Sequence, residues 1–391
     1  MIKTELNAGF ASLGGGYLFS ETARRIRAFE AENPGKKVIR LGIGDVTLPL
    51  GKTVVDAMLR ASAEMGERGT FRGYCPEAGY GFLRSAVARY YARRGVDVRP
   101  EEIFISDGAK SDCAAVPSLF GAAKVYIPDP VYPVYLDTNL LAGRETVSIP
   151  ALPEDGFLPG PERCGGGPAV IYLCSPDNPT GAAYGREGLA AWVVHAINTG
   201  SVIIYDAAYE AYITEPGVPH TIYEIPGAKS CAVEINSLSK SAGFTGTRCG
   251  WSVFPRELGE LGKMWARRQA ASFNGVSYIV QRAAEAALSP AGLAESAKMA
   301  EYYLSNARLI SRLLDEKGIF HTGGVNSPYI WMRCPDGCGS WEFFDRMLTS
   351  AGVAGTPGAG FGKYGEGFFR LTAFSAREDT ETAVARLREF L

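Results

Sequence analysis

The chain alternates helix and strand patterns along most of its length, and this alternation limits its possible folds more than any other feature. From about residue 54 onward, apolar residues at helical spacing alternate with short runs rich in Val, Ile, Phe or Tyr. Such an order is typical of βαβ units, in which helices cover both faces of a mostly parallel sheet. We predict helices at 54–67, 80–94 and 188–198, and strands at 102–106, 124–127, 169–173, 201–205, 231–235 and 247–253.

The pattern changes after residue 274. An Ala-rich helical stretch covers 276–316 with a break near Pro290, and it is followed by strand patterns at 328–334 and 367–374 and helix patterns at 340–351 and 379–391. This part predicts a smaller α+β domain. The first 45 residues show no clean period, which predicts an arm. We therefore expect an arm with part of the small domain at 1–50, a large α/β domain at 51–285 and a C-terminal small domain at 286–391.

Charge, histidine content and the length of apolar runs exclude several classes of function. The chain has 40 Lys and Arg against 42 Asp and Glu, whereas a nucleic-acid surface needs a basic excess. Its 3 His residues lie far apart, which argues against a metal centre or a Ser-His-Asp triad. No apolar run reaches the ~20 residues of a membrane helix, and residues 1–7 lack the apolar core of a secretory signal. We expect a cytoplasmic protein that acts on small molecules, with no metal, nucleic-acid or membrane partner.

Polar residues follow the predicted strands, and one of these segments carries specific chemistry. Ligands of open α/β sheets bind beyond the carboxyl ends of the strands. In the segment 236–248, Lys240 could form an imine with an aldehyde, while Ser237, Ser239 and Arg248 could hold a phosphate. Pyridoxal 5′-phosphate carries both groups. An isolated Ser-x-Ser-Lys is more often a surface loop, so this interpretation depends on the other strand ends.

Those strand ends offer partners for the same cofactor. Asp206 could pair with a protonated pyridine nitrogen, although alone it could equally be a helix N-cap. Tyr209 and Asn178 could donate to the cofactor's ring oxygen. Tyr132 could stack on the ring or simply pack, and the backbone of 108–111 could cradle the phosphate.

Arg370 lies in the apolar run 367–374 on a predicted strand. A buried Arg is costly unless it is paired with an anion. A substrate α-carboxylate and an internal Asp or Glu are both possible partners, and the sequence leaves that choice open.

Taken in order, these residues carry a resemblance to a known family. The order is Tyr132, Asn178-Pro-Thr-Gly, Asp206-x-x-Tyr209, Ser-x-Ser-Lys240, Arg248 and a C-terminal Arg370. It resembles the class I and II aminotransferases, which are pyridoxal-phosphate enzymes of fold type I, over essentially the whole chain. The resemblance implies an α/β fold with a mostly parallel seven-stranded sheet in a large domain. It also implies a homodimer whose active sites lie at the subunit interface.

Within that family, the segments 41–45, 73–80 and 241–251 resemble members that act on LL-diaminopimelate more closely than those that act on aspartate or aromatic amino acids. Carried over residue by residue, the resemblance gives catalytic roles to Lys240, Asp206 and Tyr209. The cofactor would contact Ala109, Tyr132, Asn178, Asp206, Tyr209, Ser237, Ser239, Lys240, Arg248 and the partner subunit's Tyr74. The substrate would contact Tyr17, Gly44, Glu77, Lys110, Tyr132, Asn178, Asn274 and Arg370.

The far end of the substrate decides specificity. Diaminopimelate carries a second ammonium and a second carboxylate, and Glu77 with Lys110 supplies the opposite charges. Cys75, Asp177, Leu238 and a short 249–273 segment depart from the family's usual pattern. The expected reaction transfers an amino group between L-glutamate and tetrahydrodipicolinate. The alternatives are another glutamate-dependent aminotransferase, a lyase on the same fold, and a regulator that would need a DNA-binding module.

Overall fold

The computed structural model describes residues 4–13 and 18–391, and their architecture is α/β. The helices are α1 Leu18–Glu32, α2 Lys52–Met65, α3 Gly81–Ala92, α4 Ala109–Ala115, α5 Val134–Leu141, α6 Arg186–Thr199, α7 Leu238–Ser241, α8 Glu260–Ser272, α9 Tyr278–Ala287, α10 Pro290–Glu316, α11 Ser340–Ala351 and α12 Arg377–Phe390. The strands are β1 Ile39–Arg40, β2 Ile103–Ser106, β3 Lys124–Asp129, β4 Thr146–Pro150, β5 Ala169–Cys174, β6 Val202–Asp206, β7 Ala232–Ser237, β8 Gly250–Val253, β9 His321–Gly323, β10 Tyr329–Arg333, β11 Val353–Ala354, β12 Thr356–Pro357 and β13 Phe368–Thr372.

A seven-stranded sheet with the order β2-β8-β7-β6-β5-β3-β4 forms the larger part of the molecule. Strands β7, β6, β5, β3 and β4 are parallel, and β8 runs antiparallel to both of its neighbours. The mostly parallel seven-stranded sheet is therefore confirmed. Its register pairs Cys174 with Asp206 and Asp206 with Ile235, so that neighbouring strands end at one edge.

Successive residues of the central strands point to opposite faces, and both faces are covered. Ile203 and Tyr205 join one apolar core, whereas Ile204 between them joins the core on the other face. This alternation explains why these strands appear as nearly continuous apolar runs. No helix in residues 4–13 and 18–391 is long and apolar enough to cross a membrane.

A second group of elements packs around its own core. Strands β12, β13, β10 and β9 form an antiparallel sheet, and β1 pairs in parallel with β11. Phe343 and Phe344 from α11, Tyr303 from α10 and Phe369 from β13 share one buried cluster. The N-terminal segment thus contributes a strand to this group through Ile39 and Arg40.

Several elements differ from the sequence prediction, and three of these differences have a physical explanation. Helix α1 lies in a stretch for which we predicted no regular element. The helix forms because its buried residues Leu18, Thr22, Ile26 and Phe29 recur at helical spacing among charged residues. Strand β4 was not predicted, since only Ile149 of its five residues is fully buried. Strand β8 starts three residues later than predicted, because Arg248 has a left-handed φ of 68° that a strand cannot contain.

Candidate active site

A cavity of about 440 Å³ opens beyond the carboxyl ends of β5, β6 and β7, between the large sheet and the antiparallel sheet. Most of the residues predicted from the sequence line it. They are Gly44, Ala109, Lys110, Tyr132, Asn178, Asp206, Tyr209, Ser237, Ser239, Lys240, Arg248 and Arg370.

Lys240 reaches this cavity from α7, the short helix that follows β7. Its Nζ donates a hydrogen bond to the carbonyl oxygen of Gly44. Desolvation lowers the pKa of Lys240 to about 8, with smaller contributions from the positive charges of Arg248 and Arg370, while Asp45 opposes the change. Much of this amine is therefore neutral and nucleophilic near pH 8.

Asp206 ends β6, lines the cavity and is buried. Its Oδ2 accepts hydrogen bonds from Tyr135 Oη at 2.6 Å and from Cys113 Sγ at 3.4 Å, and its Oδ1 accepts one from the backbone N–H of Ala208 at 3.0 Å. Burial raises the pKa of Asp206, and these donors oppose the shift. The donors account for how a carboxylate can be held at this depth.

Arg248, Ser237 and Ser239 form the end of the cavity suited to an anion. Arg248 Nη1 donates to Ser239 Oγ at 3.1 Å, and Ser237 Oγ donates to Ser239 Oγ at 2.9 Å. Gly108 precedes α4 with a φ of 135°, and a Cβ at this position would collide with the Arg248 guanidinium. Glycine is therefore required where the backbone approaches this arginine.

Arg370 on β13 forms the other charged end of the cavity and is only 1% exposed. Its Nη1 donates to Asn178 Oδ1 at 2.6 Å and its Nη2 donates to the carbonyl oxygen of Gly42 at 2.7 Å, whereas its Nε has no hydrogen bond. Burial lowers the pKa of Arg370. No salt bridge joins this guanidinium to a carboxylate in the described part of the chain. The internal Asp or Glu that the sequence left possible is thus absent there, which favours a ligand carboxylate.

Tyr209 and Asn178 lie together between the two charged ends. Asn178 Nδ2 donates to Tyr209 Oη at 3.5 Å, and the hydroxyls of Tyr209 and Tyr329 are 2.8 Å apart. Burial raises the pKa of Tyr209 well above 10, so its hydroxyl stays protonated and can donate to a ligand oxygen.

The residues predicted to contact the far end of the substrate are not all in this cavity, and neither is Tyr74, which we predicted to contact the phosphate of the partner subunit's cofactor. Lys110 lies on its rim, but Glu77, Asn274 and Tyr74 are exposed and lie outside it. Tyr74 is 89% exposed and lines a separate surface pocket with Asn274 and Cys75. Tyr17 falls outside the described residues.

Sequence reasoning missed several residues that line the cavity. Tyr135 and Tyr329 contact Asp206 and Tyr209 directly, and Phe19 and Ile26 from α1 form a further wall. Tyr135 had a signal, since it follows Tyr132 by only three residues, across the turn that leads into α5. Tyr329 had none, because the pairing of its strand could not be derived from the sequence.

Comparison with known proteins accounts for this arrangement. A family model described as aminotransferase class I and II matches residues 36–387. The chain belongs to the class I and II aminotransferase family. Like the solved aminotransferases described below, it has the fold type I architecture, as predicted.

Two relatives of this aminotransferase cover nearly the whole chain. An LL-diaminopimelate aminotransferase from Agathobacter rectalis is 50% identical over 98% of this chain and 99% of that protein, and one from Lachnospira eligens is 49% identical over the same shares. The solved L,L-diaminopimelate aminotransferase from Chlamydomonas reinhardtii is 41% identical, with a TM-score of 0.94 over 99% of both chains. Thermus thermophilus aspartate aminotransferase with maleate is 25% identical, with a TM-score of 0.88 over 99% of this chain and 100% of that one.

Proposed function

We propose that this aminotransferase interconverts tetrahydrodipicolinate and L-glutamate with LL-2,6-diaminopimelate and 2-oxoglutarate, in lysine biosynthesis in the cytoplasm. The observation that carries the proposal is the 50% identity, over 98% of the chain, to a protein named LL-diaminopimelate aminotransferase. The aspartate aminotransferase is much less similar, at 25% identity. The cavity supports the same reading, since it presents a buried guanidinium to an amino acid's carboxylate.

The residues of the cavity fit pyridoxal 5′-phosphate. A lysine with a lowered pKa, a buried carboxylate and a serine–arginine cluster would hold an aldehyde, a pyridine nitrogen and a phosphate, respectively. We propose that Lys240, Asp206 and Arg248 with Ser237 and Ser239 serve these three roles. Bound there, the cofactor supplies the carbonyl that takes up the amino group and the ring that withdraws electrons from the substrate's Cα.

The chain's own residues then have separate tasks. Arg370 binds the substrate's α-carboxylate through its free Nε and its Nη groups. Lys240 would move the proton from the substrate's Cα to the aldehyde carbon of the cofactor, for which a pKa of about 8 is well placed. Asn178 and Tyr209 would donate hydrogen bonds to the cofactor's ring oxygen, and Asp206 would keep its pyridine nitrogen protonated.

We also propose that the protein is a homodimer and that Tyr74, Glu77 and Asn274 complete the cavity of a second copy. All three are exposed and lie outside the cavity of their own chain. The exposed apolar side chains Leu59 and Phe71 lie in the same part of the sequence, at 66% and 61% exposure. Glu77 and Lys110 would then read the second ammonium and carboxylate of diaminopimelate.

We retain the division into 1–50, 51–285 and 286–391 as part of the proposal. The separate core formed by α10, α11 and β13 supports a distinct C-terminal unit, and the pairing of β1 with β11 supports assigning the N-terminal segment to it.

The function can be tested by supplying L-glutamate with one acceptor at a time and measuring 2-oxoglutarate. Tetrahydrodipicolinate should be the preferred acceptor, ahead of oxaloacetate and phenylpyruvate. Lys240→Ala should abolish turnover while the protein still binds pyridoxal phosphate, because the other cofactor contacts remain. A preference for another acceptor would replace the substrate assignment, release of ammonia or pyruvate would indicate a lyase, and full activity of Lys240→Ala would refute the role of the lysine.

A further inference from the structure

Tyr329 is a buried tyrosine for which the reaction outlined above has no role, yet it contacts two residues that do. It begins β10, next to β13, and is 1% exposed. In the antiparallel register Tyr329 pairs with Thr372, two residues along β13 from Arg370. It lines the cavity between Tyr209 and the guanidinium of Arg370.

We propose that Tyr329 is a positioning residue that orients Tyr209 through its hydroxyl and Arg370 through its ring. This inference rests on the proposed function, which places Tyr209 at the cofactor and Arg370 at the substrate carboxylate.

The hydroxyl of Tyr329 orients Tyr209 through the hydrogen bond between them. Its Oη lies 2.8 Å from Tyr329 Oη and 3.5 Å from Asn178 Nδ2, which can only donate. Burial raises the pKa of both phenols, so each keeps its proton. Either hydroxyl can be the donor in this contact. When a ligand oxygen takes the proton of Tyr209, Tyr329 is left as the donor, so that the lone pairs of Tyr209 are occupied and its own proton is held toward the cavity. Tyr329 therefore sets the direction in which Tyr209 donates.

The ring part concerns Arg370. The guanidinium carbon lies 4.5 Å from the centroid of the Tyr329 ring and 4.8 Å from that of Phe361, with Phe19 at 5.8 Å. Aromatic faces attract a cation and limit its rotation. Since the described residues provide no carboxylate for this guanidinium, the rings take part in holding its plane until a ligand carboxylate arrives.

Gly44 shows how closely the Tyr329 hydroxyl is packed. A Cβ at position 44 would collide with Tyr329 Oη. The same glycine accepts the hydrogen bond of Lys240 through its carbonyl oxygen. The absence of a side chain at Gly44 thus leaves room for the hydroxyl beside the reacting lysine.

Two substitutions separate the role of the Tyr329 hydroxyl from that of its ring. Tyr329→Phe keeps the ring and removes the hydroxyl, whereas Tyr329→Leu removes both. In the cofactor-loaded protein, the pH midpoint of the visible absorption band should rise in both variants, by about half a unit to one unit, because the ring oxygen loses an oriented donor. The dissociation constant of maleate, a dicarboxylate that cannot react, should stay within about twofold in Tyr329→Phe and rise about tenfold in Tyr329→Leu.

Tyr184→Phe is the matched control. Tyr184 is also buried, and Tyr184→Phe also removes one hydrogen bond, which the Tyr184 hydroxyl donates to the carbonyl oxygen of Pro159 at 2.8 Å. Tyr184 does not line the cavity. This variant should change neither the absorption midpoint nor maleate binding. An unchanged midpoint in Tyr329→Phe, or unchanged maleate binding in Tyr329→Leu, overturns the proposal. Tyr329→Phe conserves the side-chain volume, so its absorption midpoint tests the role of the hydroxyl even if Tyr329→Leu does not fold. Both measurements omit the amino acceptor, so a wrong acceptor assignment would leave them intact.

Discussion

At the scale of single residues, the site depends on keeping Asp206 charged where water is excluded. Burial raises the pKa of this carboxyl, and the hydrogen bond from Tyr135 at 2.6 Å is the first of the effects that oppose the shift. Tyr135 is itself held by stacking on Tyr172, with ring centroids 4.6 Å apart. Tyr135 lines the cavity and donates directly to Asp206, whereas Tyr172 does not line it.

Tyr135→Phe should weaken pyridoxal phosphate binding at low pH. A hydrogen bond to a charged group contributes about 1.5 to 3 kcal/mol, and one pKa unit corresponds to about 1.4 kcal/mol. Removing the donor raises the pKa of Asp206 further, so the acid limb of cofactor affinity should move up by about one pH unit. Equilibrium binding between pH 5 and 8 measures this shift.

Tyr172→Phe serves as the comparison for that experiment. Tyr172 donates to the carbonyl oxygen of Cys113 at 2.6 Å and has no hydrogen bond to Asp206. In Tyr172→Phe, cofactor affinity should fall at the same low pH as in the wild-type protein. If Tyr135→Phe and Tyr172→Phe gave the same profile, the effect would be a general loss of packing and the role of Tyr135 would be rejected.

At the scale of elements, the features that local sequence patterns encode could be predicted, whereas those that depend on long-range packing could not. Lys240, Asp206 and Asn178 follow strands whose apolar runs are visible in the sequence, so their meeting at one sheet edge could be anticipated. The walls contributed by Tyr329 and α1 depend on how β10 and β13 pair and on which face of a helix turns inward. Such contacts join residues that lie far apart in the chain, and no local pattern encodes which of them meet.

Helix α2 shows a stabilising contact of this long-range kind. Its N-cap is Gly51, which has no side chain to accept a hydrogen bond from the first turn. Glu295 of α10 takes that place, accepting from Thr53 Oγ1 at 2.9 Å and from the Thr53 backbone N–H at 3.2 Å. A Cβ at position 51 would collide with the Glu295 carboxylate. The glycine therefore admits a cap supplied by another helix.

Glu295→Ala should lower the free energy of unfolding by about 1 kcal/mol, the usual contribution of an N-cap. Activity should not change, since Glu295 does not line the cavity. Glu301→Ala removes an exposed carboxylate from the same helix, where it pairs only with Arg308, and should change stability by less than about 0.5 kcal/mol. Urea unfolding of the two variants gives the comparison, and equal losses would show that Glu295 is not a cap.

At the scale of the whole molecule, one chain provides most of the predicted site but leaves part of it elsewhere. Lys240 and Arg248 line the same cavity, whereas Tyr74 is 89% exposed and lies outside it. A symmetric dimer places the same surface of each copy against the other and so can complete two sites at once. The proposed homodimer explains why residues named by one sequence pattern are separated in a single chain.

Mixing inactive variants tests this arrangement. Tyr74→Ala should bind pyridoxal phosphate about tenfold or more weakly, because a hydrogen bond to the phosphate is lost, and Lys240→Ala should be inactive. After the two are unfolded and refolded together at limiting cofactor, a mixed dimer holds one site with Lys240 from one chain and Tyr74 from the other. Activity should recover to about a quarter of the wild-type value, since about half of the dimers are mixed and each has one intact site.

The control for this mixing experiment pairs Lys240→Ala with Arg248→Ala. Both residues lie in the cavity of the same chain, so every site of a mixed dimer lacks one of them and activity should stay low. Sedimentation at the assay concentration should give a mass of two chains for each preparation. Recovery in the Arg248 mixture would mean that one site takes Lys240 and Arg248 from different chains, against the shared cavity described above. No recovery in the Tyr74 mixture would mean that each chain builds its site from its own residues alone. Tyr74 would then not contribute to a partner's active site.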